Sequence, residues 1–177
     1  MAPPVDALID RQWAGLLWRF SGRDGEVNYW LADRGQRRSL GISEQEAGFI
    51  RRLFSELDAL TGLRFRETRR RQRSDIDLYS VRNLGGRTVG ETVLQRRWFE
   101  IAWEDRSGSR LSKREASTIA HEIGHALGLA HPDGQPSDRR FDTRDTIMSY
   151  NWAGYHGYTP ADRDALRSLW SDGGLAG

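Results

Sequence analysis

The chain's 177 residues fit one domain with room for a sizeable core, and 27 basic residues against 25 acidic ones leave a net charge of only +2. That weak surplus does not by itself imply nucleic acid, and no apolar run approaches membrane-spanning length. The absence of cysteine excludes disulfides and thiolate metal sites.

The opening Met-Ala-Pro-Pro-Val-Asp lacks the basic start and apolar stretch of a signal peptide. Within residues 1–20, Trp13, Leu16, Leu17, Trp18 and Phe20 predict a short helix or turn packed through its aromatics. A turn at 22–25 leads into an alternating strand at 27–32. Ser43 and Glu46 have the spacing of a capping box, and Ala47, Ile50, Leu53, Phe54, Leu57 and Leu60 follow at helical intervals until Gly62. Strands are expected at 63–68 and 76–81, joined by an arginine run at 69–73. No aromatic is interleaved with those arginines, so a solvated loop is favoured over an anion site. Gly85-Gly86 opens an edge strand over 87–95, and a fifth strand is expected at 98–104. A second capping box, Ser112 and Glu115, starts the next helix. Residues 132–147 predict an irregular surface loop. Its Asp133, Asp138, Asp142 and Asp145 match no compact calcium loop, so calcium is admitted as a cofactor without a clear motif behind it. Thr159 caps a final helix with Pro160 in its first turn and Leu166, Leu169 and Trp170 on its buried side; the glycine-rich tail at 171–177 is expected to fray.

The chemistry concentrates in His-Glu-Ile-Gly-His-Ala-Leu-Gly-Leu-Ala-His at 121–131. His121 and His125 are four apart and lie within about 40° of each other on a helical wheel, so they can grip one ion. Ala116, Ile119, Ile123, Ala126 and Leu127 cluster on the far side and face a core. Gly128 sits where the helix must stop, because glycine takes the left-handed conformation at little cost, and the chain can then return His131 as a third ligand. Three neutral imidazoles leave one position open, as catalytic rather than structural zinc requires.

This motif, with Met148-Ser149-Tyr150 downstream, resembles the metzincin zinc endopeptidases. Within them it is most similar to the serralysin-type catalytic domain, here without calcium repeats. The His131-Pro132 step and the stretch from Thr159 to Trp170 strengthen that likeness. Astacins rely on disulfides, which a cysteine-free chain cannot form. Matrix metalloproteinases need a second, histidine-rich zinc site, and only His156 remains outside the motif. The resemblance implies an α+β, zincin-like fold: a twisted mixed sheet of about five strands with two long helices over residues 1–131, and a smaller part over 132–177 with a methionine turn and a last helix. It implies zinc on His121, His125 and His131, Met148 packed beneath the rings, and Tyr150 as a movable ligand and oxyanion donor. It also implies secretion, although no export signal is present in this sequence, so a cytoplasmic location or an excised domain stands beside it.

Glu122 is then the general base and proton shuttle for hydrolysis of extended polypeptide, which adds a strand to the edge segment at 87–95. The residues at 151–158 are expected to line the specificity pocket. A monomer acting on polypeptide, with no nucleic-acid or membrane partner, is the expectation. The alternative is a catalytically silent zinc-binding module of the same fold, but such a module has no use for Glu122.

Overall fold

Both serine-x-x-glutamate signatures become helix starts in the computed structural model, which describes residues 2–171, 174 and 175. Ser43 accepts from the Glu46 N–H while Glu46 accepts from the Ser43 N–H, and this reciprocal pair opens α2 (Glu44–Thr61); Gly62, at φ 74°, closes it. Ser112 and Glu115 open α3 (Lys113–Ala126) in the same way. The aromatic N-terminal stretch forms α1 (Arg11–Phe20), capped by Asp10, and Thr159 with Asp162 caps α4 (Pro160–Trp170). Of the expected fraying tail, residues 172, 173, 176 and 177 lie outside the described chain. Within it, the Leu175 N–H donates to Leu169 O at 2.8 Å.

Five strands form one mixed sheet, which agrees with the α+β expectation. They are β1 (Glu26–Leu31), β2 (Arg64–Glu67), β3 (Ile76–Val81), β4 (Gly90–Leu94) and β5 (Phe99–Glu104), in the order β2-β1-β3-β5-β4. All neighbours are parallel except β4, which runs antiparallel to β5 at the edge. The edge strand is shorter than the expected 87–95. Gly85 and Gly86 hold positive φ ahead of it, and Gln95 N–H to Trp98 O closes the hairpin behind it. Val27, Tyr29, Ile76, Leu78, Phe99, Ile101 and Trp103 share one sheet face and pack with α2 and α3 into a single core. No helix is long and apolar enough to cross a membrane.

Every residue of β5 is buried, Glu100 and Glu104 included. The run at 69–73 is solvated at Arg69, Arg70, Gln72 and Arg73, as expected, and departs from that reading at Arg71 alone. Arg71 turns onto the outer sheet face, with Nε 2.7 Å from Asp77 Oδ2 and Nη2 3.4 Å from Glu100 Oε1. Its guanidinium lies 5.8 Å from the ring centres of both Trp30 and Trp98. Two buried carboxylates require a cation, and the flanking indoles come from distant parts of the chain.

On the inner face, Trp103 Nε1 donates to Glu46 Oε1 at 2.7 Å, so the residue that caps α2 also pins the middle of the sheet. Trp103→Phe leaves a buried carboxylate oxygen without that donor and opens a void. The expected cost is about 2–3 kcal/mol, read as a lower urea midpoint at unchanged slope.

Candidate metal centre

Helix α3 presents His121, Glu122 and His125 from its last two turns, and its end is specified locally. The Gly128 N–H donates to His125 O at 2.9 Å and the Leu129 N–H to Gly124 O at 2.8 Å, the paired bonds of a Schellman stop. Gly128 has φ 89°, and a Cβ there would stand 2.7 Å from Ala14 Cβ and 2.8 Å from Asp10 O. Glycine is therefore needed twice over: for its conformation, and because the segment before α1 pairs with the chain at this point. Asp10 N–H donates to Gly128 O at 2.7 Å and Ala130 N–H to Leu8 O at 2.8 Å. This pairing steadies the return that delivers His131.

The three rings converge. Their centres lie 4.8 Å apart for His121 and His125, 4.7 Å for His125 and His131, and 5.3 Å for His121 and His131. Candidate ligand atoms on the three all fall within 4.8 Å of one another, and among the described residues no other cluster of histidines and carboxylates could hold a metal ion. His121 Nδ1 lies 2.8 Å from Ile147 O and His125 Nδ1 lies 2.9 Å from Leu129 O. Each Nδ1 therefore carries its proton toward a carbonyl, which leaves both Nε2 lone pairs aimed inward. His131 Nε2 sits 3.3 Å from His121 Nε2. Two nitrogens on one tetrahedral zinc at the usual bond length stand about 3.3–3.4 Å apart, so the donor set fits that ion. Burial, reinforced by repulsion from neighbouring imidazoles, holds His121 down at about 3 and His131 at about 4; burial also lowers His125. All three rings are thus neutral near pH 7, the form that ligates.

Glu122 is buried beside the triad. Thr92 Oγ1, on β4, lies 2.8 Å from both Glu122 Oε2 and Glu122 O. Burial pushes the Glu122 carboxyl up to about 7, with Glu91 adding to the rise and the Thr92 hydroxyl opposing it. A bound dication acts in the opposite direction. Gly90 is the close neighbour on the same strand: a Cβ there would fall 2.4 Å from Thr118 Cγ2 and 2.8 Å from Glu122 Oε1. Thr92 and Gly90 are absent from the residues singled out in the sequence. A glycine inside a strand pattern is the one local sign of such close approach.

Met148 is fully buried, and its sulfur lies 3.2 Å from where a Cβ on Gly124 would stand, so it packs beneath α3 between its two histidines. Asp162 was read only as part of the final helix, but it holds the turn that carries Met148. It accepts from Ile147 N–H at 2.9 Å, from Thr146 Oγ1 at 2.5 Å and from Thr159 N–H at 2.9 Å. The carbonyl of that same residue, Ile147, orients His121, so Asp162 reaches the triad through a single residue. Tyr150 is 60% exposed, with its ring centre 5.0 Å from that of His131 and 5.6 Å from that of His121. It overhangs two of the three rings from the solvent side.

A cleft of ≈ 770 Å³ opens beside His121 and Glu122. From the loop after Met148, Ser149, Tyr150 and Trp152 line it while the rest of 151–158 does not; residues 87–90 and parts of 112–122, of β5 and of the loop before Met148 complete the lining. Asn151 instead ties the loop together by donating to Asp138 O and Phe141 O, Tyr155 packs on Phe49, and Tyr158 is buried with its hydroxyl on Ala120 O. His156 is exposed, with Nε2 3.2 Å from Ala153 O. The loop at 132–147 is not purely superficial, since Phe141, Thr146 and Ile147 are buried in it. Of its acids, Asp138 pairs with Arg140 and Asp142 with Arg144.

No protein-family model matches the chain. Serralysin G of Dickeya chrysanthemi is 34% identical over 92 residues, a match that covers 41% of this chain and 19% of that protein. The chain thus spans about a fifth of the length of the curated relative it matches. This partial likeness and the three-imidazole cluster point the same way, toward a metzincin-like relation.

Proposed function

We propose that the chain is a zinc-dependent endopeptidase acting on extended polypeptide. One observation carries this: three neutral imidazoles, two of them fixed by carbonyls, converge beside a buried carboxylate at the wall of an open cleft. His121, His125 and His131 would hold the ion. When bound, zinc supplies Lewis acidity to the scissile carbonyl and to the attacking water.

The remaining work falls to the chain's own groups. Glu122 takes a proton from water at its carboxylate and later delivers it to the leaving amine. Thr92 fixes which way that carboxylate faces. Tyr150, on the solvent side of the rings, donates its hydroxyl to the developing oxyanion. Met148 and Asp162 set the floor and the orientation of His121.

Substrate pairs with the outer edge of β4, which has no partner strand among the described residues and exposes Val89, Val93 and Leu94 nearby. Main-chain pairing is indifferent to side chains, so flexible or unfolded polypeptide is the expected substrate.

Casein cleavage tests the proposal. Activity should vanish on dialysis against a zinc chelator and return with added zinc at about one equivalent, as a single set of three ligands requires. Metal uptake without any cleavage would instead select the silent module of the same fold, and unchanged cleavage without metal would exclude both.

A further inference from the structure

The lining of the cleft carries three arginines and three glutamates, but the two signs are not all paired with each other. Arg87, just before β4, and Arg114, in the first turn of α3, both line it, and among the described residues neither has a carboxylate within ion-pair distance. The carboxylates that share the lining are already engaged. Glu104 holds Arg106 and accepts the Leu84 N–H, while Glu115 accepts from the backbone of Ser112, Arg106 and Ser107. Glu122 faces Thr92. Arg114 is also held in place: its guanidinium carbon lies 4.9 Å over the Trp152 ring at the cleft mouth. A cation in the first turn of a helix adds to the positive end of the helix dipole instead of offsetting it. Two guanidiniums without a carboxylate partner thus line one cleft, one of them pinned on an indole, and each can take a carboxylate.

We infer that this cleft selects polypeptides with an acidic side chain, glutamate or aspartate, at a residue directly flanking the cleaved bond. The inference rests on the peptidase function proposed above and adds the charge of the side chain that the cleft takes. A volume of ≈ 770 Å³ admits the longer of the two side chains with space to spare. Its carboxylate meets Arg87 and Arg114, whereas a lysine there meets the same cations with the wrong sign.

The test uses a set of fluorogenic peptides, neutral except at the two positions flanking the cleaved bond, which carry Glu, Gln or Lys in turn. At one of these positions kcat/KM should fall in the order Glu, Gln, Lys, with Glu ahead of Gln by about three- to tenfold. The Glu advantage should shrink toward unity at about 1 M salt, where the Debye length is about 3 Å. Arg114→Glu should invert the order of Glu and Lys. Equal cleavage of all the peptides, or an order that Arg114→Glu leaves unchanged, overturns the preference while leaving the peptidase standing. Failure to cut any of the peptides, those with Glu included, removes the peptidase and the preference together.

Discussion

Glu122→Gln, purified with its metal, is expected to cleave casein about 10³–10⁴ times more slowly than the parent protein while keeping about one equivalent of zinc. The amide is nearly the same shape as the carboxylate, and its oxygen can still accept from Thr92 Oγ1, now 2.8 Å from Glu122 Oε2. The packing of Gly90 against this side chain is likewise conserved, so the fold should not notice the change. Lost is the ability to take a proton from water and to hand one to the leaving amine, both of which need an ionisable oxygen. The zinc measurement is what gives the result its meaning. An inactive variant that had also lost its ion would report a disturbed helix, whereas an inactive variant with full zinc content isolates the proton step. A variant that retains more than about a tenth of the parental rate would remove Glu122 from the mechanism.

Much of this site was legible because its signals are local. Two histidines four apart, a glycine at the helix stop and a capping box whose serine lies nine and whose glutamate lies six residues upstream of His121 each act through bonds within a few residues of chain, and each is found where its spacing placed it. The helix starts at Ser43 and Thr159 are of the same kind. What escaped depends on partners far apart in sequence. Thr92 reaches Glu122 only because β4 pairs antiparallel to β5 and lies along α3, and nothing near Thr92 in the chain announces that register. Arg71 looked solvated because its two carboxylates and its two indoles come from β1, β3 and the β4–β5 hairpin. The cap at Thr159 was legible, since capping is local. The hold of Asp162 on Ile147, and through that residue on His121, is a tertiary fact. The loop after Met148 reaches the cleft through Ser149, Tyr150 and Trp152 and then leaves it for a related reason: the aromatic hydroxyl of Tyr158 finds its acceptor inside the core, on Ala120, and draws that part of the loop away.

Tyr150→Phe should lower kcat and kcat/KM together by about 10²–10³, with KM and zinc content little changed. The ring stands over His131 and His121 at 5.0 and 5.6 Å and is 60% exposed, so its position owes little to hydroxyl contacts. Its backbone N–H, bonded to Pro136 O at 2.7 Å, holds the residue in place in either variant. Burial raises the Tyr150 hydroxyl above its ordinary value, with the Glu122 charge adding to the rise, so it is protonated and able to donate at neutral pH. Phenylalanine preserves the ring and deletes that donor alone. A donor that acts on charge appearing only in the transition state leaves ground-state binding unaffected, which is why the loss should appear in kcat and not in KM. A rise in KM at constant kcat would instead make Tyr150 a wall of the substrate cleft, and a change below about threefold in both would remove it from the site's chemistry.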